Sequence, residues 1–429
     1  MENTITINHF IPKSKEKTYY EIPFDIPENT RRVDVRYTYT RHVQSPAEGS
    51  GVATTEANIV DLGLSSRAFG FIGTSGSNRS HIWVSASECS KGYYRVNPSG
   101  SWSILVGAYE IQDAGLDVTY TITFTSKERT LYRGDCHMHT LGSDGKLTVA
   151  EIAHMARGTG LDFIIVTDHN NTACNLEIPA VEGITVIPGM EWTHYNGHAN
   201  MIGVPRPVKH PFCTNDEAGM RAIMQEAKDN GAIIVLNHSQ CPDRPWKWGF
   251  DVPFDALEIW NAMMLGAYQR QIVWWHDRLC EGKKIPILAG SDFHRLTVGS
   301  MVGMPCTWVY AMSNSGEDIL AALTGGHSFV TLDPDSPTIY AQAGGKILGE
   351  TAGKGETVSV RFERLEKGDE LHTITHEGRK VFTSSSKLSS IEFTHDPNNS
   401  SFMRFEIHRK SLVFMSDCPI LISNPIYFE

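Results

Sequence analysis

Cysteine is scarce and unpatterned in this chain. The eight in 429 residues (Cys89, Cys136, Cys174, Cys213, Cys241, Cys280, Cys306 and Cys418) form no CxxC pair and no framework spacing. A thiolate-bound structural zinc and a disulfide scaffold are therefore not expected, and reduced thiols in a cytoplasmic protein are. Positive charge is also short. The formal net charge of -11 argues against nucleic acid or an anionic membrane as partner, since either needs a basic surface. No apolar run approaches the roughly eighteen residues of a membrane span. Met1 to Ile5 lack the basic-then-apolar pattern of a secretory leader. There is no G-x-S-x-G elbow, no P-loop, no dinucleotide fingerprint, no repeat and no long low-complexity tract.

What remains has an ordinary globular balance, with 41% hydrophobic and 20% charged residues. At this length two or three domains are expected. From about residue 17 to 126, short runs alternate with period two, as in Arg32 to Tyr39, His81 to Ser85 and Val118 to Phe124. Turn-forming stretches separate them, so residues 1–128 are expected to form a β-sandwich. From Leu131 to about Thr331, apolar runs alternate with helical patterns. Thr148 precedes Glu151 at the spacing of a capping box, and helical recurrence also runs over Glu217 to Asn230 and Ala267 to Glu281. Such alternation implies an α/β unit with parallel strands, either a barrel or an open doubly wound sheet, over residues 129–333. After Asp333 the helical patterns stop, and residues 334–429 are expected to form a small β-sandwich.

The chemistry collects at the ends of the central runs. His137-x-His139, with Asp144 in the following loop, comes after the first. Asp168-His169, then Glu191 with His198, then Asn237-His238, and finally Asp292-x-His294 follow the later ones. One such histidine is more often packing than ligand, but a series at successive strand ends points to one face and one metal centre. Imidazole and carboxylate donors suit Zn, Mn or Fe. Nine candidate ligands (His137, His139, Asp144, His169, Glu191, His198, His238, Asp292 and His294) exceed the needs of a single ion, so two or three divalent ions per chain are expected.

These motifs, together with Arg133-Gly134-Asp135 and Gly197-His198-Ala199-Asn200, resemble those of the PHP (polymerase and histidinol phosphatase) superfamily. Within it they are similar to the CehA/McbA-like branch. The resemblance spans roughly residues 131 to 333 and implies a distorted (β/α)7, TIM-like barrel. By position it implies that His137, His139, Glu191 and Asp292 hold one ion. Glu191 would bridge to a second held by His198 and His238, and Asp144, His169 and His294 would hold a third. Asp135 and Asp168 are expected to orient ligand imidazoles, and Ser291 is either a turn residue or a donor. The activity implied is hydrolysis of a small phosphate ester by a metal-bound hydroxide, with Glu191, Asp292, His198 and Arg295 as the catalytic set. Arg295, His327, His194 and Trp246 are candidate contacts for a small-molecule substrate; related chains often carry arginine where this one has His327. A carbamate, ester or amide hydrolase with the same centre is the first alternative. A glycan-binding protein with a vestigial barrel is the second.

Overall fold

The computed structural model describes the chain apart from residues 1, 47–51, 211, 263–264, 385–387, 397–399 and 411–417. It divides into two compact units, Met1–Glu128 and Arg129–Glu429.

The first unit follows from its alternating strands. One sheet runs Glu2–Ile11, Leu116–Ser126, Thr30–Tyr39, His81–Ser85; the other runs Thr18–Asp25, Ser101–Glu110, Ile59–Ser66, Gly70–Ser75. All pairings are antiparallel. Register sets Tyr120 against Tyr37, Ile122 against Val35 and Phe124 against Val33, so every second side chain enters the core. There they meet Leu62, Leu64, Ile104 and Val106 of the other sheet. Each such side chain contributes about 1.5–3 kcal/mol by leaving water, and the result is a β-sandwich.

The second unit is a mixed, sheet-rich α/β structure. Its first central strand, Thr130–Asp135, pairs in parallel with Phe163–Ile165, which pairs in parallel with Thr185–Ile187. On its other side lie Cys306–Ala311 and Ser328–Thr331, both antiparallel. A separate five-stranded sheet holds Gly189–His194, Gly197–Ile202, Ile233–Leu236, Ala256–Asn261 and Ile287–Gly290. Two isolated parallel bridges join the sheets, Met138 with Phe293 and His169 with Glu191. Four α-helices are present among the described residues: α1 (Val149–Gly158), α2 (Glu217–Asp229), α3 (Leu265–Cys280) and α4 (Gly316–Thr324). The Thr148 side chain and Glu151 form the expected capping box at the start of α1.

A single closed sheet with seven helical crossovers is not what these elements display. One tight antiparallel pair, the 189–202 hairpin, replaces a helical crossover, with Gly197 at φ 133° in its turn, and Cys306–Ala311 and Ser328–Thr331 run antiparallel although α4 connects them. The C-terminal strands continue the larger sheet. Cys418–Ser423 pairs with Ser328–Thr331, and Phe402–Arg409 and Glu370–Thr375 follow. Phe402, Ile422 and Tyr427 share a core with Trp192, Leu236 and Trp260, while Met403, Phe405 and Leu421 share one with Met138 and Phe293. No helix among the described residues is long and apolar enough to cross a membrane. Seven cysteines are free thiols; the side chain of Cys418 lies outside the described residues.

Candidate metal centre

Beyond Asp135 the first central strand stays extended, so side chains alternate in direction. Cys136 and Met138 enter apolar cores, while His137 and His139 turn the other way and are fully buried. Backbone approach is close. A Cβ on Gly290 would lie 2.2 Å from the Cβ of His137, so glycine is required where the Ile287–Gly290 strand passes. Two further ligand candidates, His238 and Asp292, sit at positive φ (31° and 52°), a conformation that costs an L-residue of order 1–3 kcal/mol.

The structure brings all nine candidate ligands together in three groups, two of which share His139. These are His137, His139 and Asp292; His139, Asp144, His169 and His294; and Glu191, His198 and His238, with ligand atoms within 4.8 Å of one another in each. Glu191 lies at the middle. Its Oε1 is 3.1 Å from His198 Nδ1, 3.5 Å from His137 Nε2 and 3.8 Å from His238 Nε2. Its Oε2 is 2.7 Å from His169 Nδ1 and 3.6 Å from His139 Nε2. Asp292 Oδ1 is 2.9 Å from His139 Nε2, and Asp144 Oδ1 is 3.2 Å from His294 Nε2. Burial would raise the Glu191 carboxyl, but His137 and then His169 and His198 hold it well below the usual range. Asp292 is lowered in the same way, with His137 the main opponent of burial.

Three histidines are oriented as ligands are. His137 Nδ1 is held by Glu258 Oε1 at 2.7 Å, His238 Nδ1 by the Arg244 carbonyl at 3.2 Å, and His294 Nδ1 by the Asp292 carbonyl at 2.7 Å. With Nδ1–H donated outward, each Nε2 lone pair is aimed inward. His139 and His137 place their Nε2 atoms 3.2 Å apart, and buried His139 Nδ1 has no hydrogen-bond partner among the described residues. Converging nitrogen lone pairs and carboxylates in a buried site fit divalent cations.

Asp135 and Asp168 do not orient imidazoles. Asp135 accepts from the Ser291 hydroxyl and from the Ser291 and Gly303 amides, and burial raises its carboxyl to about 6. Asp168 accepts from Thr140, Ser143 and Cys174. Both carboxylates tie down the backbone around the ligands, because each lies level with loop amides and hydroxyls rather than rings. The orienting role falls to Glu258, which sequence reasoning missed. Its signal was a lone charge in Ala256–Asn261, a strand buried at every position.

Of the substrate candidates, Arg295 is exposed beside His294 and makes no ion pair among the described residues. His327 instead gives Nδ1–H to the Leu348 carbonyl at 2.8 Å. Trp246 is buried against Gly197, with its indole N–H on the Gly249 carbonyl. His194 donates to the Thr214 carbonyl at 3.0 Å. A fourth group, His372, Glu406 and His408, lies apart in the C-terminal strands. There Glu406 is neutralised by Arg404 and His408, which overcome burial and hold its carboxyl at about 2.

Imidazoles and carboxylates converging from the ends of successive strands define the class: a candidate metal centre on an α/β scaffold. No family model and no curated protein matches the chain. Among solved structures it is similar to a two-domain protein from Bacteroides vulgatus containing a predicted PHP-like metal-dependent phosphoesterase. That match has 17% identity over 69% of this chain and 95% of that one, with a TM-score of 0.42. It is also similar to a metal-dependent phosphoesterase candidate from Bifidobacterium adolescentis (16% identity, 38% and 87% covered, TM-score 0.28). A third likeness is to an amidohydrolase from Chromobacterium violaceum with bound sulfate and no metal (16% identity, 39% and 89% covered, TM-score 0.26). None of these three matches names the CehA/McbA-like branch.

Proposed function

We propose that the chain is a metal-dependent hydrolase of small phosphate esters. The observation that carries this reading is the convergence of His137 and His238, each with Nδ1 bonded outward, on the buried carboxylate of Glu191, with His294 oriented in the same way toward Asp144 in the adjoining group. Residues 129–333 would act as the catalytic unit, a distorted barrel completed at the ligand end by the two isolated bridges. Residues 1–128 and 334–429 would flank it. Seven free thiols suit a reducing compartment.

In this reading Glu191 is shared between two ion positions, one facing His137, His139 and Asp292 and the other His198 and His238. Asp144, His169 and His294 would hold a third. When bound, two or three ions such as Zn, Mn or Fe would activate water and neutralise charge on the phosphoryl oxygens. Hydrolysis adds water across the P–O bond, releasing phosphate and an alcohol. Asp292, whose side chain is 18% exposed against 1% for Glu191, is placed to take the proton from the attacking water. Arg295, adjacent to His294, would grip a phosphoryl oxygen.

Elemental analysis of protein purified without chelator should find at least two transition-metal equivalents per chain, and Glu191→Ala should lose more than one. Phosphate esters should be hydrolysed in preference to aryl carbamates, and chelation should abolish turnover. Less than one equivalent after reconstitution would refute the multinuclear centre. A clear preference for carbamates would transfer the same centre to the carbonyl chemistry of the first alternative.

A further inference from the structure

A cleft of about 570 Å³ opens beside the Glu191 group, with His198 forming part of its wall. Its volume falls in the range of small-molecule sites and exceeds the needs of a phosphoryl group alone. Its lining includes Phe212 to Asn215, Tyr195, Asp243 and Arg244.

The walls are fixed from behind. Trp192 donates its indole N–H to the Phe212 carbonyl at 2.9 Å, and His194 bonds the Thr214 carbonyl at 3.0 Å. Both donors lie on the strand that carries Glu191, so the Phe212 loop is registered to the metal centre. The Arg244 carbonyl holds His238 Nδ1, which registers that part of the lining to a candidate ligand. What these walls present to the cleft is left unused. The Arg244 guanidinium is exposed and makes no ion pair or hydrogen bond among the described residues. Phe212 is 37% exposed and Tyr195 95%, although large aromatic rings are normally covered. Arg295 is not among the lining residues.

We propose that this cleft seats the leaving group of the substrate and selects a planar aromatic one. Phe212 and Tyr195 face the ring, and Arg244 pairs with the substrate's anion from the His198–His238 side. The inference rests on the phosphoesterase reading for its reaction, but the cleft's preference for a ring can be measured without turnover.

The test uses the full metal-loaded chain and two non-hydrolysable probes, phenylphosphonate and methylphosphonate, titrated calorimetrically. Wild type should bind the phenyl compound more tightly by roughly 3–10-fold, the range that an aromatic contact supplies. Phe212→Ala should erase that difference while leaving methylphosphonate binding and metal content unchanged. Arg244→Ala should weaken both probes together by about 10-fold or more, as loss of a charge-assisted contact requires. Steady-state kinetics should then show Phe212→Ala raising KM for phenyl phosphate but not for glycerol phosphate. Equal binding of the two probes by wild type, or a Phe212→Ala variant that keeps the preference, overturns the proposal. So does tighter binding of a sugar phosphate than of phenyl phosphate. If no phosphate ester is hydrolysed yet the probe difference appears and vanishes as stated, the reaction is wrong and the ring seat stands.

Discussion

Glu258 shows how one side chain can govern two ligands. One carboxylate oxygen accepts from His137 Nδ1 at 2.7 Å, and the other accepts the His238 backbone N–H at 3.0 Å. Glutamine is nearly isosteric but turns one acceptor into a donor, which must then face either an N–H or an imidazole in the wrong tautomer. Glu258→Gln is therefore expected to weaken metal binding by about 10–100-fold, as loss of a ligand's supporting partner typically does. Competition with a chromogenic chelator would measure it, and unchanged affinity would reduce Glu258 to a packing residue. The nine ligand candidates were legible because their spacing around apolar runs is local in sequence. Glu258 was not, since its partner lies 121 positions away. The parts of Asp135 and Asp168 were misread for a related reason. A carboxylate beside a ligand can face rings or amides, and only packing decides which.

At the scale of elements, the approach of the Ile287–Gly290 strand to His137 is the tightest constraint on the site. A methyl group at Gly290 would meet His137 Cβ at 2.2 Å and its backbone N at 2.7 Å. Neither can move without displacing a ligand. Gly290→Ala is expected to cost on the order of 2 kcal/mol or more from overpacking and to lower metal occupancy together with the unfolding midpoint. A variant with parental midpoint and metal content would show that the strands separate without penalty. Helices were legible here: the capping box and apolar recurrence located α1, and the 217–230 and 267–281 patterns fell on α2 and α3. The 189–202 hairpin was not foreseen. Its turn depends on Gly197, whose missing side chain is replaced by the ring of Trp246, and a sequence does not announce that distant contact.

For the whole molecule, the sequence suggested a change of character at Asp333, and the described residues beyond it form strands without an α-helix. Yet Cys418–Ser423 hydrogen-bonds to Ser328–Thr331, and Phe402 and Ile422 pack with Trp192 and Leu236. Long-range strand pairing leaves no local trace, so this continuity was invisible before the structure. A fragment of residues 129–333 would expose both a sheet edge and that core. It is expected to aggregate or to melt without cooperativity, whereas Arg129–Glu429 should fold and hold the same number of ions as the full chain. Circular dichroism melting and elemental analysis of the two fragments would check this. A cooperative, fully metallated 129–333 fragment would contradict it.

The placement of Cys418–Ser423 beside Ser328–Thr331 also sets a timetable for biosynthesis. The first unit has all its strands in hand once residue 128 has left the ribosome, and it can close while translation continues. The second has no such early exit. Its candidate ligands are made by residue 294, but the strand that pairs with Ser328–Thr331 in the sheet of Thr130–Asp135 emerges well over a hundred residues later. At roughly 5–20 residues per second, that leaves an interval of several seconds or more. During it the edge at Ser328–Thr331 stays unpaired, and nascent chains in this window should be the ones that chaperones hold.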